Sequence, residues 1–184
     1  DEGKKTNESL INLLNNDEVI VNAQNNHRVS LRGNDETLPN DSLFDKQWSM
    51  MNTGQNNGVV GADIDAILAW DFSATGLTAH GDTIVVAIVD GGSDLNHEDL
   101  NFWKNHAEIP NNSIDDDDNG YVDDYDGWNA YNNSGAIPSN VHGVHVCGIA
   151  GAIGNNGIGV AGVNWNVKTL PIAGESSYES IVVK

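Results

Sequence analysis

Two residues and one loop carry the chemistry open to this sequence. Asp90 closes the apolar run 83–89 (TIVVAIV) and is followed by Gly91 and Gly92, and His142 opens the segment 142–153 (HGVHVCGIAGAI). A hydroxyl is a weak nucleophile at neutral pH and needs a base with a pKa of about 7, which neutral imidazole supplies. A carboxylate beside that imidazole fixes its tautomer and stabilises the imidazolium that forms. Taken singly, each residue has a plainer reading, a satisfied core aspartate and a helix-capping histidine. The loop is residues 115–126 (DDDDNGYVDDYD), seven carboxylates in twelve residues. Against the calcium-loop template, Asp115, Asp117 and Asn119 fill positions 1, 3 and 5, Gly120 is at 6, the Tyr121 carbonyl at 7 and Asp126 at 12. No lysine or arginine lies between Lys104 and Lys168, so a divalent cation is the natural counter-charge. Oxygen-only donors favour Ca2+ over zinc. A solvated acidic loop is the competing reading. An EF-hand sensor would need long flanking helices, and these flanks are rich in Asn and Pro.

These groups must be positioned by a chain of 184 residues, a length that fits one domain or one domain with a short appendage. Apolar content of 39% is enough for a core. A net charge of −19 argues against nucleic acid and anionic membrane as partners and suits cation binding. No apolar run approaches the roughly 20 residues of a spanning helix, and the opening DEGKKTNESL carries no signal-peptide pattern. Cys147 is the one cysteine, so no internal disulfide forms. Twenty glycines and many Asn-rich turns imply a loop-rich α/β chain.

Along the chain, 9–15 reads as a short amphipathic helix and 18–23 as a strand. Residues 31–45 read as a linker and a proteolysis site. The segment 62–74 reads as a helix with Ile64, Ile67, Leu68 and Phe72 on one face, Asp63 and Asp65 in its first turn and Gly76 as its stop. The β-branched run 83–89 is the pattern of a parallel strand covered on both faces. Chemistry in open α/β sheets collects at the carboxyl ends of such strands, where Asp90 stands. Residues 106–140 read as loop. The segment 142–153 reads as a helix whose Gly143, Gly148 and Gly151 imply close backbone packing, and 167–172 as a second sheet strand. A helix begins at Ser177 and stops in mid-element at IVVK, so the chain reads as part of a longer one.

Three stretches fall together: 85–100 (VVAIVDGGSDLNHEDL), 142–163 (HGVHVCGIAGAIGNNGIGVAGV) and 39–55 (PNDSLFDKQWSMMNTGQ). In this order and spacing they resemble the subtilisin-like serine proteases, the subtilases. That family has a strand-end Asp followed by a D-H-P-D-L-type segment, an H-G-T-H-V-A-G helix start and an N-N-x-x-G-V-x-G loop. The resemblance runs from about Pro39 to the C-terminus. It implies that Asp90 is the triad aspartate and His142 the triad histidine, with His145 in structural support. It also implies a nucleophilic serine in a G-T-S-M-A segment and an oxyanion-hole Asn, neither of which occurs in this sequence. Ser176 and Ser177 lie in GESSYES, which by position resembles the edge strand of the substrate cleft. The chain is thus expected to be inert alone, with the serine on a C-terminal portion of the same protease. Gly91 stands where the family has Thr or Ser, Val144 where it has Thr, and Cys147 where it has Ala. The first two departures remove hydroxyls near the triad, and Cys147 reads as a small buried hydrophobe.

In calcium-binding subtilases, loops resembling 115–126 can use Asp123 or Asp124 in place of Asp126. A second site follows from the resemblance alone. Residues 154–160 (GNNGIGV) are similar to the family's strong calcium loop, which implies ligation by the Asn156 side chain and the carbonyls of Gly154, Ile158 and Val160. Asp99 and Asp41 would complete it, and a plain Asn-Gly turn is the alternative. Residues 9–31 resemble the tail half of the family's inhibitory propeptide. Residues 1–35 are therefore expected to be a propeptide remnant or an N-terminal extension, cleaved near 32–38, and 36–184 the N-terminal part of the catalytic domain. The implied fold is a three-layer α/β/α sandwich with a mainly parallel sheet, incomplete in this chain. The implied protein is a secreted, zymogen-derived, Ca2+-bound serine endopeptidase acting on protein or peptide substrates. A calcium-stabilised binding or adhesion domain on a degenerate protease scaffold is the alternative that Gly91 and Val144 motivate. Residues 115–126 alone motivate a calcium-dependent interaction module.

Overall fold

The computed structural model describes residues 7–16, 38–72, 76–78 and 80–174. The chain divides into two units, 1–33 and 34–184. In the first, helix α1 (Asn7–Asn15) is described, with Leu13 and Leu14 exposed. The strand expected at 18–23 and the helix expected from Ser177 lie outside the described residues.

In the second unit the β-branched run becomes β1 (Val85–Asp90). A two-residue strand, β2 (Trp128–Asn129), and β3 (Lys168–Ala173) complete a sheet of order β1-β3-β2, both pairings parallel. Helix α3 (Val141–Gly151) packs on β1 and β3. Register places Ile88 opposite Pro171 and Asp90 opposite Ala173, and the Gly174 N–H donates to the Asp90 carbonyl at 2.9 Å. Ile88 packs with Leu100, Phe102, Cys147 and Ala152 beneath α3. The pattern of β1 differs from the expectation of two covered faces: Val85, Ala87 and Val89 are exposed, so α3 covers one face and the other lies open among the described residues.

Two other expectations are corrected. The 62–74 helix is only α2 (Ala66–Trp70). The Asp63 carboxylate accepts the backbone N–H groups of Asn52 (2.7 Å) and Asp65 (2.8 Å), which holds it below the usual carboxylate range. Asp65 then takes a left-handed φ of 54°, so the chain turns where a helix was expected to start. The buried face is Ala66, Ile67 and Trp70, while Ile64, Leu68 and Phe72 are exposed. Trp70 packs on Trp165 with ring centroids 4.9 Å apart and the planes tilted by 58°, and it donates its indole N–H to the Val163 carbonyl at 2.8 Å. The described end of the expected linker, 38–45, is folded into the unit: Pro39 and Asp41 are buried, and the Leu43 N–H donates to the Gly159 carbonyl at 2.8 Å.

The glycines of α3 are not equivalent. A Cβ on Gly151 would lie 2.5 Å from Val167 Cγ2, whereas one on Gly148 meets nothing within 4 Å. Gly151→Ala is expected to destabilise the protein by about 1–3 kcal/mol through overpacking. Urea unfolding checks this, and an unchanged midpoint would contradict the packing of α3 on Val167.

Candidate active site and cation-binding loops

Parallel pairing delivers Asp90 to the carboxyl end of β1, and the Asn140-capped start of α3 delivers His142 to the same corner. His142 Nδ1 lies 2.6 Å from Asp90 Oδ2. An ionised carboxylate only accepts, so Nδ1 carries the proton and Nε2, at the opposite edge of the ring, is the basic nitrogen. Asp90 Oδ1 accepts the Gly91 N–H at 2.6 Å. The carboxylate side chain is 7% exposed and the imidazole side chain 71% exposed. The approach is close enough to need glycine. A Cβ on Gly143 would overlap the Gly92 carbonyl oxygen and lie 3.3 Å from Asp90 Oδ1. Such a couple can hold a base in one tautomer and offer it to a hydroxyl. His145 is exposed, one turn along α3.

Cys147, wholly buried, is within reach of the Ser93 hydroxyl (3.7 Å). Burial pushes its thiol above the ordinary value.

The acidic loop gathers some of its expected ligands and leaves others aside. Oxygens of Asp115, Asp117 and Glu108 lie within 4.8 Å of one another. Asn105 Nδ2 donates to Asp117 Oδ2 (3.0 Å) and Asp124 Oδ1 (2.7 Å), and Asn119 Nδ2 reaches Asp117 Oδ2 and Asp124 Oδ2 at 3.2 Å each. Asn119 Oδ1 accepts the Tyr121 N–H at 2.8 Å. Asp126 instead pairs with Lys104, and Asp123 accepts the N–H groups of Asn112 and Ser113. Asp126 closes the 3-10 turn Asp124–Asp126, with one residue between that turn and β2, and its carboxylate is held by Lys104. Glu108, buried and accepting the N–H groups of Asp116, Asp117 and Asp123, went unforeseen because the template counts only residues inside the loop.

Around 154–160, Asp41 Oδ2 accepts the Asn155 N–H at 2.6 Å. Asp99 Oδ1 accepts from Asn156 Nδ2 (2.9 Å) and its Oδ2 from the Val160 N–H (3.0 Å). The Asn156 Oδ1 is engaged by the Ile158 N–H at 2.7 Å, and Gly154 packs on the Trp165 ring. Asn40 ties the same loop from outside, accepting the Gly157 N–H at 2.7 Å.

A carboxylate at the carboxyl end of a parallel strand, bonded to the imidazole in the first turn of a downstream helix, is an arrangement that could activate a hydroxyl for acyl transfer. Comparison narrows the class. Residues 81–184 match the model described as the subtilase family. Subtilisin-like protease 1 of Plasmodium vivax is 47% identical over 89 residues, 46% of this chain and 14% of that protein. PC3-like endoprotease variant B of Hydra vulgaris is 32% identical over 157 residues, 85% of this chain and 19% of its own length. Neuroendocrine convertase 2 of Homo sapiens is 34% identical over 133 residues, 72% of this chain and 18% of its own. A chain in the crystal structure of the Aeromonas sobria serine protease and chaperone complex shares the fold, with a TM-score of 0.53 and 22% identity over 78% of this chain and 21% of that one. The chain belongs to the subtilase family of serine proteases, and it spans between 14% and 19% of the length of these three curated relatives.

Native Cys147 is expected to resist a disulfide reagent at pH 8 and to react at once in denaturant, since no thiolate is accessible. Because the folded thiol's pKa is raised, its contribution to stability is complete below the unfolded thiol's pKa. That contribution is lost as pH rises towards the folded value, so Cys147→Ala should flatten the alkaline fall in stability. Rapid labelling of the native protein would contradict both expectations.

Proposed function

We propose that this chain is the Asp- and His-bearing portion of a secreted, calcium-stabilised serine endopeptidase acting on protein or peptide substrates. Its nucleophilic serine belongs to a C-terminal portion of the same protease, and residues 1–35 are its propeptide remnant. The observation that carries this reading is the 2.6 Å contact of His142 Nδ1 with Asp90 Oδ2 at the strand end. In the reaction, His142 Nε2 takes the serine hydroxyl proton as the oxygen attacks the peptide carbonyl and returns it to the leaving amine, while Asp90 stays ionised and orients the ring. The open sheet face (Val85, Ala87, Val89), together with exposed Val141 and Ile149 on α3, supports a remaining portion that covers them. No helix among the described residues is long and apolar enough to cross a membrane.

Calcium fits the residues present. Asp41 Oδ1 is buried with no hydrogen-bond donor, and Asp99 is also buried. Neither carboxylate faces a lysine or arginine: among the described residues the ion pairs are Lys104–Asp126 and His142–Asp90. Buried carboxylates without a counter-charge are costly, so this donor set suits a hard cation. Asp41, Asp99, Asn156 and the carbonyls of Gly154, Ile158 and Val160 would hold one ion. Asp115, Asp117, Asn119, Asp124, Glu108 and the Tyr121 carbonyl would hold another, with Asp126 kept by Lys104. Each ion would supply positive charge that ties its loop together.

In the full-length protein, a fluorophosphonate probe should label a serine, and His142→Ala should abolish labelling and lower kcat by about 10^6-fold. An intact, folded full-length protein that does not label would favour the binding-domain alternative, which Gly91 and Val144 motivate. EGTA should lower the melting temperature, because an ion at 1,000 times its Kd stabilises by about 4 kcal/mol. Asp99→Asn should remove most of that dependence and Asp126→Asn little of it. A melting curve indifferent to EGTA removes calcium from the account.

A further inference from the structure

Asn140 precedes α3 and caps it. Its Oδ1 accepts the Gly143 N–H at 2.9 Å, and its carbonyl accepts the Val144 N–H at 3.0 Å. The same side chain is pressed against the Asp90 corner. A Cβ on Gly91 would overlap Asn140 Nδ2 and lie 2.9 Å from Asn140 Cγ. The carboxamide therefore occupies the volume of the side chain that residue 91 lacks. Gly143, whose N–H it holds, is the neighbour of His142 and faces both Gly92 and Asp90. The imidazole is largely exposed, and the described hydrogen bond that orients it goes to Asp90. Where the ring stands thus depends on how the first turn of α3 seats against the corner. Asn140 touches both.

We propose that Asn140 is a positioning residue for the His142–Asp90 couple, wedged between helix start and strand-end corner, and that glycine at 91 is the complementary half of this wedge. The inference deepens the peptidase reading and rests on it. Shortening residue 140 removes the cap and opens a gap at the corner, so the helix start is free to shift. Adding a side chain at 91 drives the carboxamide out and has the same result. The two positions are therefore coupled. A side chain at 91 is harmful only while the carboxamide is there to collide with it.

The test uses the full-length protein with a peptide substrate and the variants Asn140→Ala, Asn140→Ser, Gly91→Ser and Asn140→Ala with Gly91→Ser. Misplacement of a catalytic base by a fraction of an ångström should cost Asn140→Ala about tenfold in kcat, with KM within about twofold. Asn140→Ser, which keeps a cap acceptor, should recover most of the loss. Gly91→Ser should cost about tenfold when Asn140 is intact and under about twofold when added to Asn140→Ala, a strong non-additivity. The low-field proton resonance of His142 Nδ1–H is the readout independent of activity, and it should broaden or vanish in Asn140→Ala and in Gly91→Ser. Multiplicative effects of the two changes overturn the wedge. So does a lowered melting temperature with kcat and the resonance intact, or a raised KM with kcat kept, which would mark a substrate contact. If the wild-type protein does not label with fluorophosphonate, the peptidase reading fails, and the resonance still decides whether Asn140 seats His142.

Discussion

The structure around the site depends on one close approach: the first turn of α3 lies directly on the corner 90–92. Two backbones meet there at a distance no side chain would permit, with Gly143 against the Gly92 carbonyl and Gly92, at φ 120°, against the Pro138 carbonyl. The approach puts a buried carboxylate and an exposed imidazole 2.6 Å apart. The sheet contributes by ending β1 at Asp90, and Gly174, just past β3, fixes that end by donating its N–H to the Asp90 carbonyl. Burial of Asp90 would be costly without donors. The Gly91 N–H on one oxygen and the Nδ1–H on the other supply them. The glycines are therefore part of the electrostatics, since they let donors reach a carboxylate that water does not.

The same device recurs wherever this acidic chain buries a carboxylate. Glu108 accepts three backbone N–H groups, and Asp99 accepts from Val160 and Asn156; half-buried Asp115 likewise accepts the N–H groups of Asn119 and Gly120. Amides carry partial charge, so they orient carboxylates and lower the cost of burying them without cancelling the charge. With 27 acidic and 8 basic side chains, lysine and arginine are too few to do more. That leaves Asp41 Oδ1 buried and without a donor, the one carboxylate oxygen for which the amide strategy falls short among the described residues.

How much of this was legible follows from where each residue's partners lie. β1 and β3 read clearly because β-branched runs have few alternatives, and α3 read clearly within a residue or two. The Asp90 and His142 positions followed from sequence context around each. α2 did not read correctly, because the Asp63 side chain redirects the backbone through donors at Asn52 and Asp65 that periodicity ignores. The open face of β1 was equally hidden: an apolar run states what a strand can bury, not what is present to bury it. Glu108, Asn105 and Asn40 escaped because their partners are 8 to 117 positions away, and a loop template counts only its own residues.

The departures from the family pattern at 91 and 144 look different in three dimensions. A missing hydroxyl is a loss only if its place is left empty. At 91 the place is filled, since the Asn140 carboxamide stands where a side chain would begin. At 144 the valine packs against the Ile88, Leu100 and Phe102 cluster, half-buried. A hydroxyl there would need a partner in apolar surroundings, whereas two methyl groups need none. Both departures therefore trade a polar contact for packing at the seam between α3 and β1. The glycine at 91 and the Asn140 carboxamide are thus matched in volume across that seam, beside the hydrogen bond that joins Asp90 to His142.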